Sequence, residues 1–325
     1  MSGEQREEFR RTLEMNLAVA IGPTAPGAER PGPGGRFRVN VFRQRGEVGM
    51  VVRLVRTEIK SLDELSLPGS LGDIAMSKRG LVVLVGSTGS GKSTTLAAMI
   101  DHRNATETGH IITVEDPIEF MHAHKRCVVT QREVGIDTRS YGEALKNTLR
   151  QAPDVILIGE IRDVETMEAA ISFAETGHLC LTTLHANNAN QAIERILNFF
   201  PTARHHEILM QLSLNLRAVV SQRLVAAVGG GRAAALEILL DTPRIKDLVK
   251  RGEIDVVKDA MEQGGVEGCQ TFDGALLSLV AAGRVSPDEA LRHADSPNNL
   301  RLKIEQIPGH PGAAVGRPLR LAAAA

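Results

Sequence analysis

The chain has 325 residues, 42% of them hydrophobic, and a formal net charge of −1. That is enough apolar material for one large domain with a smaller partner, and the charge excludes a global basic field that would recruit nucleic acid or an anionic membrane. Cys127, Cys180 and Cys269 lack C-x-x-C spacing and read as reduced thiols; no apolar run reaches the ~18 residues of a spanning helix, and the opening Glu4, Arg6, Glu7, Glu8, Arg10 and Arg11 do not suit a signal peptide, so a cytoplasmic protein without direct membrane insertion is expected.

Residues 1–21 suggest a helix or a strand pair, and the Pro/Gly cluster over 26–35 is expected to be loop. Phe37, Val39 and Val41, then Val48, Met50, Val52 and Leu54, alternate as two strands of a hairpin turning near 44–46. Residues 57–80, with Pro68-Gly69 and Gly72, form a linker with a short helix, and a domain boundary is expected near residue 65. From residue 80 the pattern alternates: strand 81–85, helix 93–103, strand 110–114, short strand 127–130, helix 140–150, strand 155–158, helix 164–175, strand 179–183, helix 190–199. Such βαβ alternation predicts an α/β fold with a parallel sheet and ligands at the carboxyl ends of its strands. After Pro201 the chain becomes mostly helical, with a hairpin over 222–228 and 234–239, and the Pro/Gly/Ala-rich segment 308–325 is expected to be a disordered tail.

Directly after the apolar run 81–85 comes Gly86-Ser87-Thr88-Gly89-Ser90-Gly91-Lys92-Ser93, followed by Thr94. It fits G-x-x-x-x-G-K-[ST], the phosphate-binding loop. Glycines let backbone N–H groups turn inward around phosphate oxygens, and the following helix presents its positive end to the anion. Lys92 then reaches the outer phosphates and the Ser93 hydroxyl serves as the Mg²⁺ ligand, so ATP and Mg²⁺ are the expected cofactors.

Three more strand ends carry polar side chains. Ile156-Leu157-Ile158-Gly159-Glu160 has Walker B geometry, with Glu160 as candidate activator of the attacking water and Gly159 where the usual aspartate would stand. Glu115, Asp116 and Glu119 crowd one strand end, which reads either as an ordinary acidic loop or as a group compensated by a bound cation. His185 follows Leu181-Thr182-Thr183-Leu184 and is either structural or a sensor of the γ-phosphate; His178 is a weaker candidate. The hairpin arginines Arg36, Arg38, Arg43, Arg45, Arg53 and Arg56 read by themselves as a solubilising face. Beside a nucleotide, a guanidinium fork from another subunit is the alternative.

Together these motifs resemble the four signatures of the secretion-superfamily ATPases: Walker A at 86–93, an Asp box over Ile112-Thr113-Val114-Glu115-Asp116-Pro117-Ile118-Glu119-Phe120, Walker B over 154–163, and a His box at Gly177-His178 and Thr183-Leu184-His185-Ala186-Asn187. Within that superfamily the chain is similar, from about residue 35 to 307, to the type IV pilus retraction ATPases of the PilT/PilU family. Ala152 within Arg150-Gln151-Ala152-Pro153-Asp154, the opening Glu4-Gln5-Arg6-Glu7-Glu8-Phe9, and Arg244-Ile245-Lys246-Asp247-Leu248-Val249-Lys250-Arg251-Gly252 favour the PilU-like branch.

The resemblance implies a truncated PAS-like N-terminal domain with its linker (1–65) and a RecA-like ATPase domain with C-terminal helices (66–307). It further implies a homohexamer, a PilT-like partner ATPase, an inner-membrane pilus platform protein, and a place in the cytoplasm at the base of the pilus machine. Glu160 would be the base, Glu115 and Glu119 Asp-box residues, His185 the sensor, and Arg38 and Arg53 γ-phosphate contacts. Against the family's usual length before residues 4–9, a shortened N-terminal domain is expected, with part of its sheet absent. The alternatives are an assembly ATPase of type II secretion or pilus extension, and a ring subunit that binds nucleotide but serves structure.

Overall fold

The computed structural model describes residues 3–21, 35–263 and 268–307. The expected loop over 26–34 and the expected tail over 308–325 lie outside them. The elements run α1 (Gly3–Thr12), β1 (Glu14–Ile21), β2 (Gly35–Gln44), β3 (Glu47–Leu54), α2 (Ser70–Ala75), β4 (Gly80–Val85), α3 (Lys92–Thr106), β5 (Gly109–Glu115), β6 (Cys127–Glu133), α4 (Tyr141–Thr148), β7 (Val155–Ile158), α5 (Val164–Glu175), β8 (Leu179–Leu184), α6 (Ala189–Leu197), α7 (His205–Asn215), β9 (Leu216–Ala226) and β10 (Arg232–Leu240). Five further helices follow between Pro243 and Glu305. The chain divides into two compact units, Met1–Gly80 with Ser93–Thr182, and Leu81–Lys92 with Thr183–Ala325.

In the first unit, β1, β2 and β3 form an antiparallel sheet in that order. Its core is small: Met15, Leu17 and Val41 are buried, with Phe9 of α1 and Val39 packed on them. The alternating apolar residues of β3 remain outside it, with Val48, Met50, Val52 and Leu54 each more than half exposed. The remaining strands of this unit run parallel in the order β8-β7-β5-β6. β7 is Val-Ile-Leu-Ile with all four residues buried, the continuous apolar run expected of a parallel strand covered on both faces. Asp163 starts α5 as its N-cap, accepting from the Thr166 N–H at 2.8 Å and from the Thr166 hydroxyl, and Ser140 does the same for α4 through Glu143.

In the second unit the order is β10-β9-β4. β4 and β9 are parallel, with Val85 opposite Ser221, while β9 and β10 are an antiparallel hairpin with Ser221 opposite Glu237. The β4 run Gly-Leu-Val-Val-Leu-Val is buried throughout. The C-terminal helices close over Val225, Ala233 and Ala235 through Phe272, Leu276, Leu300 and Ile304. Arg223 stacks on Phe272 with its guanidinium carbon 3.8 Å from the ring centroid and ion-pairs with Asp295 at 2.7 Å. Among the described residues, no helix is long and apolar enough to cross a membrane.

Candidate active site

Local backbone chemistry builds the 86–93 loop. Gly86, Gly89 and Gly91 have φ of +149°, +80° and +90°, conformations open chiefly to glycine. Gly86 has no room for a side chain: a Cβ there would stand 2.5 Å from the Gln222 carbonyl oxygen and 2.6 Å from Ser90 Oγ. At Gly91 a Cβ would meet Gln222 Nε2 at 2.8 Å. Lys92 Nζ donates to the carbonyls of Gly86 at 2.7 Å and Ser87 at 3.0 Å, so the loop curls around its own ammonium. Ser90 is buried and its Oγ has no hydrogen-bond partner. A cationic centre, glycines in place of side chains and an unpartnered buried hydroxyl fit a phosphate group. Ser93 and Thr94 lie in the first turn of α3, half-buried.

The acidic strand ends of the first unit lie on paired strands, β5 and β7. Glu115, at the end of β5, accepts from Thr113 Oγ1 at 2.7 Å and Gln131 Nε2 at 3.3 Å. Burial pushes its carboxyl up to about 7, against those hydrogen bonds and one from the Glu119 backbone. Glu119 itself is exposed, and its carbonyl accepts from the Arg56 N–H at 3.3 Å. Gly159 continues β7 and donates its N–H to the Val114 carbonyl at 2.8 Å. A Cβ there would lie 3.1 Å from Tyr141 Oη and 3.2 Å from Glu115 Cα, which is the physical reason for glycine at the usual aspartate position. Tyr141 is held in the neutral form by burial and by the negative charge of Asp116, although it accepts from the Glu160 backbone. Glu160 Oε2 accepts from Arg162 Nε at 2.8 Å and lies 2.7 Å from Arg162 Nη2, while Arg162 Nη1 is 3.5 Å from Asp116.

His185, exposed, follows the buried Leu184 at the end of β8. The loop after it is fixed by α6: Asn188 caps the helix by accepting from the Gln191 N–H, and Gln191 Oε1 accepts from the Asn187 N–H. His178 Nδ1 lies 3.1 Å from Thr176 Oγ1 and 3.3 Å from the Phe173 carbonyl. Arg38 and Arg53 stand directly opposite each other on β2 and β3. Arg36 of the hairpin makes an ionic contact at 3.4 Å with the buried Glu133, whose carboxyl is nonetheless raised by burial. Arg56 lies over the Phe120 ring at 5.9 Å.

Sequence reasoning passed over Tyr141, Gln131, Arg162, Gln222 and Glu237. Arg162, two residues after Glu160, was the one open to a local rule. Gln131, Gln222 and Glu237 reach their partners across strands, and Tyr141 reaches Gly159 from the start of α4.

A glycine loop holding its lysine between a buried parallel strand and a helix, in a chain that also carries carboxylates after β5 and β7, defines a P-loop nucleotide hydrolase. Residues 36–277 match the family described as type II/IV secretion system protein. The chain is 55% identical to the type IV pilus ATPase PilU of Pseudomonas aeruginosa over 94% of its own length and 78% of the relative's. It is 42% identical to the type IV pilus retraction ATPase PilT of the same organism, over 92% and 84% respectively. A crystal structure titled as the pilus retraction motor PilT with bound ADP superposes with a TM-score of 0.82 at 39% identity, covering 93% of this chain and 83% of that one. The Legionella pneumophila ATPase DotB follows with a TM-score of 0.72 at 25% identity, over 89% and 79%. The chain belongs to the type II/IV secretion system protein family, and it is an ATPase of that family.

Proposed function

We propose that this ATPase powers type IV pilus retraction and twitching motility as a PilU-like homohexamer working beside a PilT-like ATPase. It acts on an inner-membrane platform protein from the cytoplasmic face. The similarity to PilU over nearly the whole chain supports the branch; the relative named as the Myxococcus xanthus assembly ATPase PilB aligns over 58% of the chain at 38% identity.

The observation that carries the reading is the hold of Gly86 and Ser87 on Lys92. Both carbonyls belong to the glycine loop, so the ammonium is held where phosphate oxygens cradled by that loop would meet it. Residues 86–94 would hold the phosphates and the Ser93 hydroxyl would ligate Mg²⁺. When bound, MgATP supplies the phosphoryl group that passes to water. Glu160 accepts the proton of that water on its carboxylate, and Glu115 and Glu119 set the field around it. His185 reports the state of the phosphate loop, and Arg38 and Arg53 supply guanidinium charge from the small sheet to a neighbouring subunit's nucleotide.

The test is ATP turnover and nucleotide binding by the wild type, Lys92→Ala and Glu160→Gln. Lys92→Ala is expected to lose binding and turnover together, and Glu160→Gln to keep binding while losing about 10²-fold or more in turnover. Wild-type turnover no higher than that of either variant would sink the reading. A deletion strain that retracts its pili at the normal rate would sink the retraction role alone.

A further inference from the structure

Glu237 is a carboxylate in the wrong place for a surface strand. It is 2% exposed, in the middle of β10, and burial raises its pKa against the hydrogen bonds it accepts. A buried carboxylate is costly unless donors satisfy it. Its Oε1 accepts from the Ala189 N–H at 2.7 Å and from Ser221 Oγ at 2.9 Å. Neither contact belongs to the phosphate loop, and both lead toward function.

Ala189 is the first residue of α6, four residues after His185, and its N–H is one of the helix-end donors that have no partner inside a helix. Ser221 stands opposite Glu237 on one side and opposite Val85, the residue before Gly86, on the other. The next residue, Gln222, closes the space at Gly86 with its carbonyl and at Gly91 with its side chain. Phosphate loop, Gln222, Ser221, Glu237 and the start of α6 are thus successive contacts within the second unit. Each is backbone or a buried side chain, so a displacement at either end has little slack to be absorbed in.

We propose that Glu237 is a positioning residue that ties the His185 loop to the phosphate loop, so that phosphate occupancy is transmitted to His185. The inference rests on the reading of the 86–93 loop and His185 given above. Two features distinguish Glu237 from a merely buried polar group: it accepts from the helix that begins just after His185, and it faces the strand that walls the glycine loop.

The test is a double-mutant cycle on ATP turnover with ADP affinity measured in parallel. Glu237→Ala leaves the Ala189 N–H and the Ser221 hydroxyl without their acceptor, and is expected to lower kcat about ten- to hundredfold with ADP affinity within about twofold of wild type. Glu237→Gln is expected to restore kcat to within about threefold of wild type. In a His185→Ala background, Glu237→Ala is expected to have no further effect. Full additivity of the two losses overturns this inference and leaves the ATPase reading intact, as does a Glu237→Gln variant as impaired as Glu237→Ala. A His185→Ala protein with wild-type turnover overturns the sensor reading and this inference with it. If Glu237→Ala does not fold, Ser221→Ala is carried through the same cycle with the same outcomes.

Discussion

Arg162 grips the Glu160 carboxylate from two nitrogens, Nε at 2.8 Å and Nη2 at 2.7 Å from the same oxygen, and extends a third toward Asp116 at 3.5 Å. The fork fixes the orientation of the residue proposed to take the proton of the attacking water. The Arg162 side chain is 57% exposed, so the ion pair is worth no more than about 1 kcal/mol to folding. Arg162→Gln is therefore expected to leave the melting temperature within a few degrees of wild type while lowering ATP turnover about tenfold, because a misaimed carboxylate is a poor base. Calorimetry and a steady-state assay on one preparation check both halves, and turnover unchanged from wild type would show that the fork does not orient Glu160.

Gly159 and Tyr141 make a steric pair. Placing a methyl at 159 drives it against Tyr141 Oη at 3.1 Å and Glu115 Cα at 3.2 Å, and the backbone atom cannot retreat. Gly159→Ala is expected to cost about 1–3 kcal/mol, as overpacking does. Removing the hydroxyl with Tyr141→Phe relieves one of the two clashes, so the double variant is expected to be more stable than the sum of the single losses. Denaturant unfolding of the four proteins measures the coupling, and strict additivity contradicts it.

The pH dependence of stability follows from Glu115. Its carboxyl titrates near 7 in the fold, against an ordinary 4.5, chiefly because burial penalises the charge. Between those two values the folded chain holds a proton that the unfolded chain has released. Its contribution to stability is therefore present below pH 4.5 and is lost as pH rises through 7. The loss is at most on the order of 3 kcal/mol. Glu133 and Glu237 are raised in the same direction, so the variable to measure is the difference between wild type and Glu115→Gln. The Gln variant is expected to gain on wild type between pH 5 and pH 8, and parallel stability curves would contradict the assignment.

Where chemistry is local, the sequence was a good guide. β7 and α5 begin and end where their apolar run and the Asp163 cap place them, and the relatives bear out the pilus ATPase resemblance carried by the four motifs. Where polarity hides a strand, it was not. β6 continues three residues beyond the expected 127–130, because Gln131, Arg132 and Glu133 still pair with β5 although they look like loop; Gln131 supports Glu115 and Glu133 meets Arg36. The helix expected over 140–150 stops at Thr148 and tightens into a turn that ends with Ala152 at φ +48°. A non-glycine residue in that conformation gives no compositional warning. Tyr141, Gln222 and Glu237 were invisible for another reason: each acts on a partner that only strand register or sheet packing brings near, and no spacing rule along the chain encodes it.

The three glycines of the phosphate loop separate a conformational requirement from a spatial one. All have positive φ, so an L-residue at any of them carries backbone strain of roughly 1–2 kcal/mol. At Gly89 nothing lies within 4 Å of the added Cβ, and asparagine tolerates such a backbone better than other residues. At Gly86 the Cβ collides with the Gln222 main chain at 2.5 Å, and relief requires β9 or the loop to move. Moving the loop carries away the Gly86 carbonyl that holds Lys92. Gly89→Asn is therefore expected to weaken nucleotide binding less than about tenfold, whereas Gly86→Ala is expected to lose it by about 10²-fold or more, since a displaced loop misdirects every amide it presents. Titration with a fluorescent ADP analogue distinguishes the two. Equal losses would mean that strain alone governs the loop, and that the wall formed by Gln222 contributes nothing to holding the phosphate.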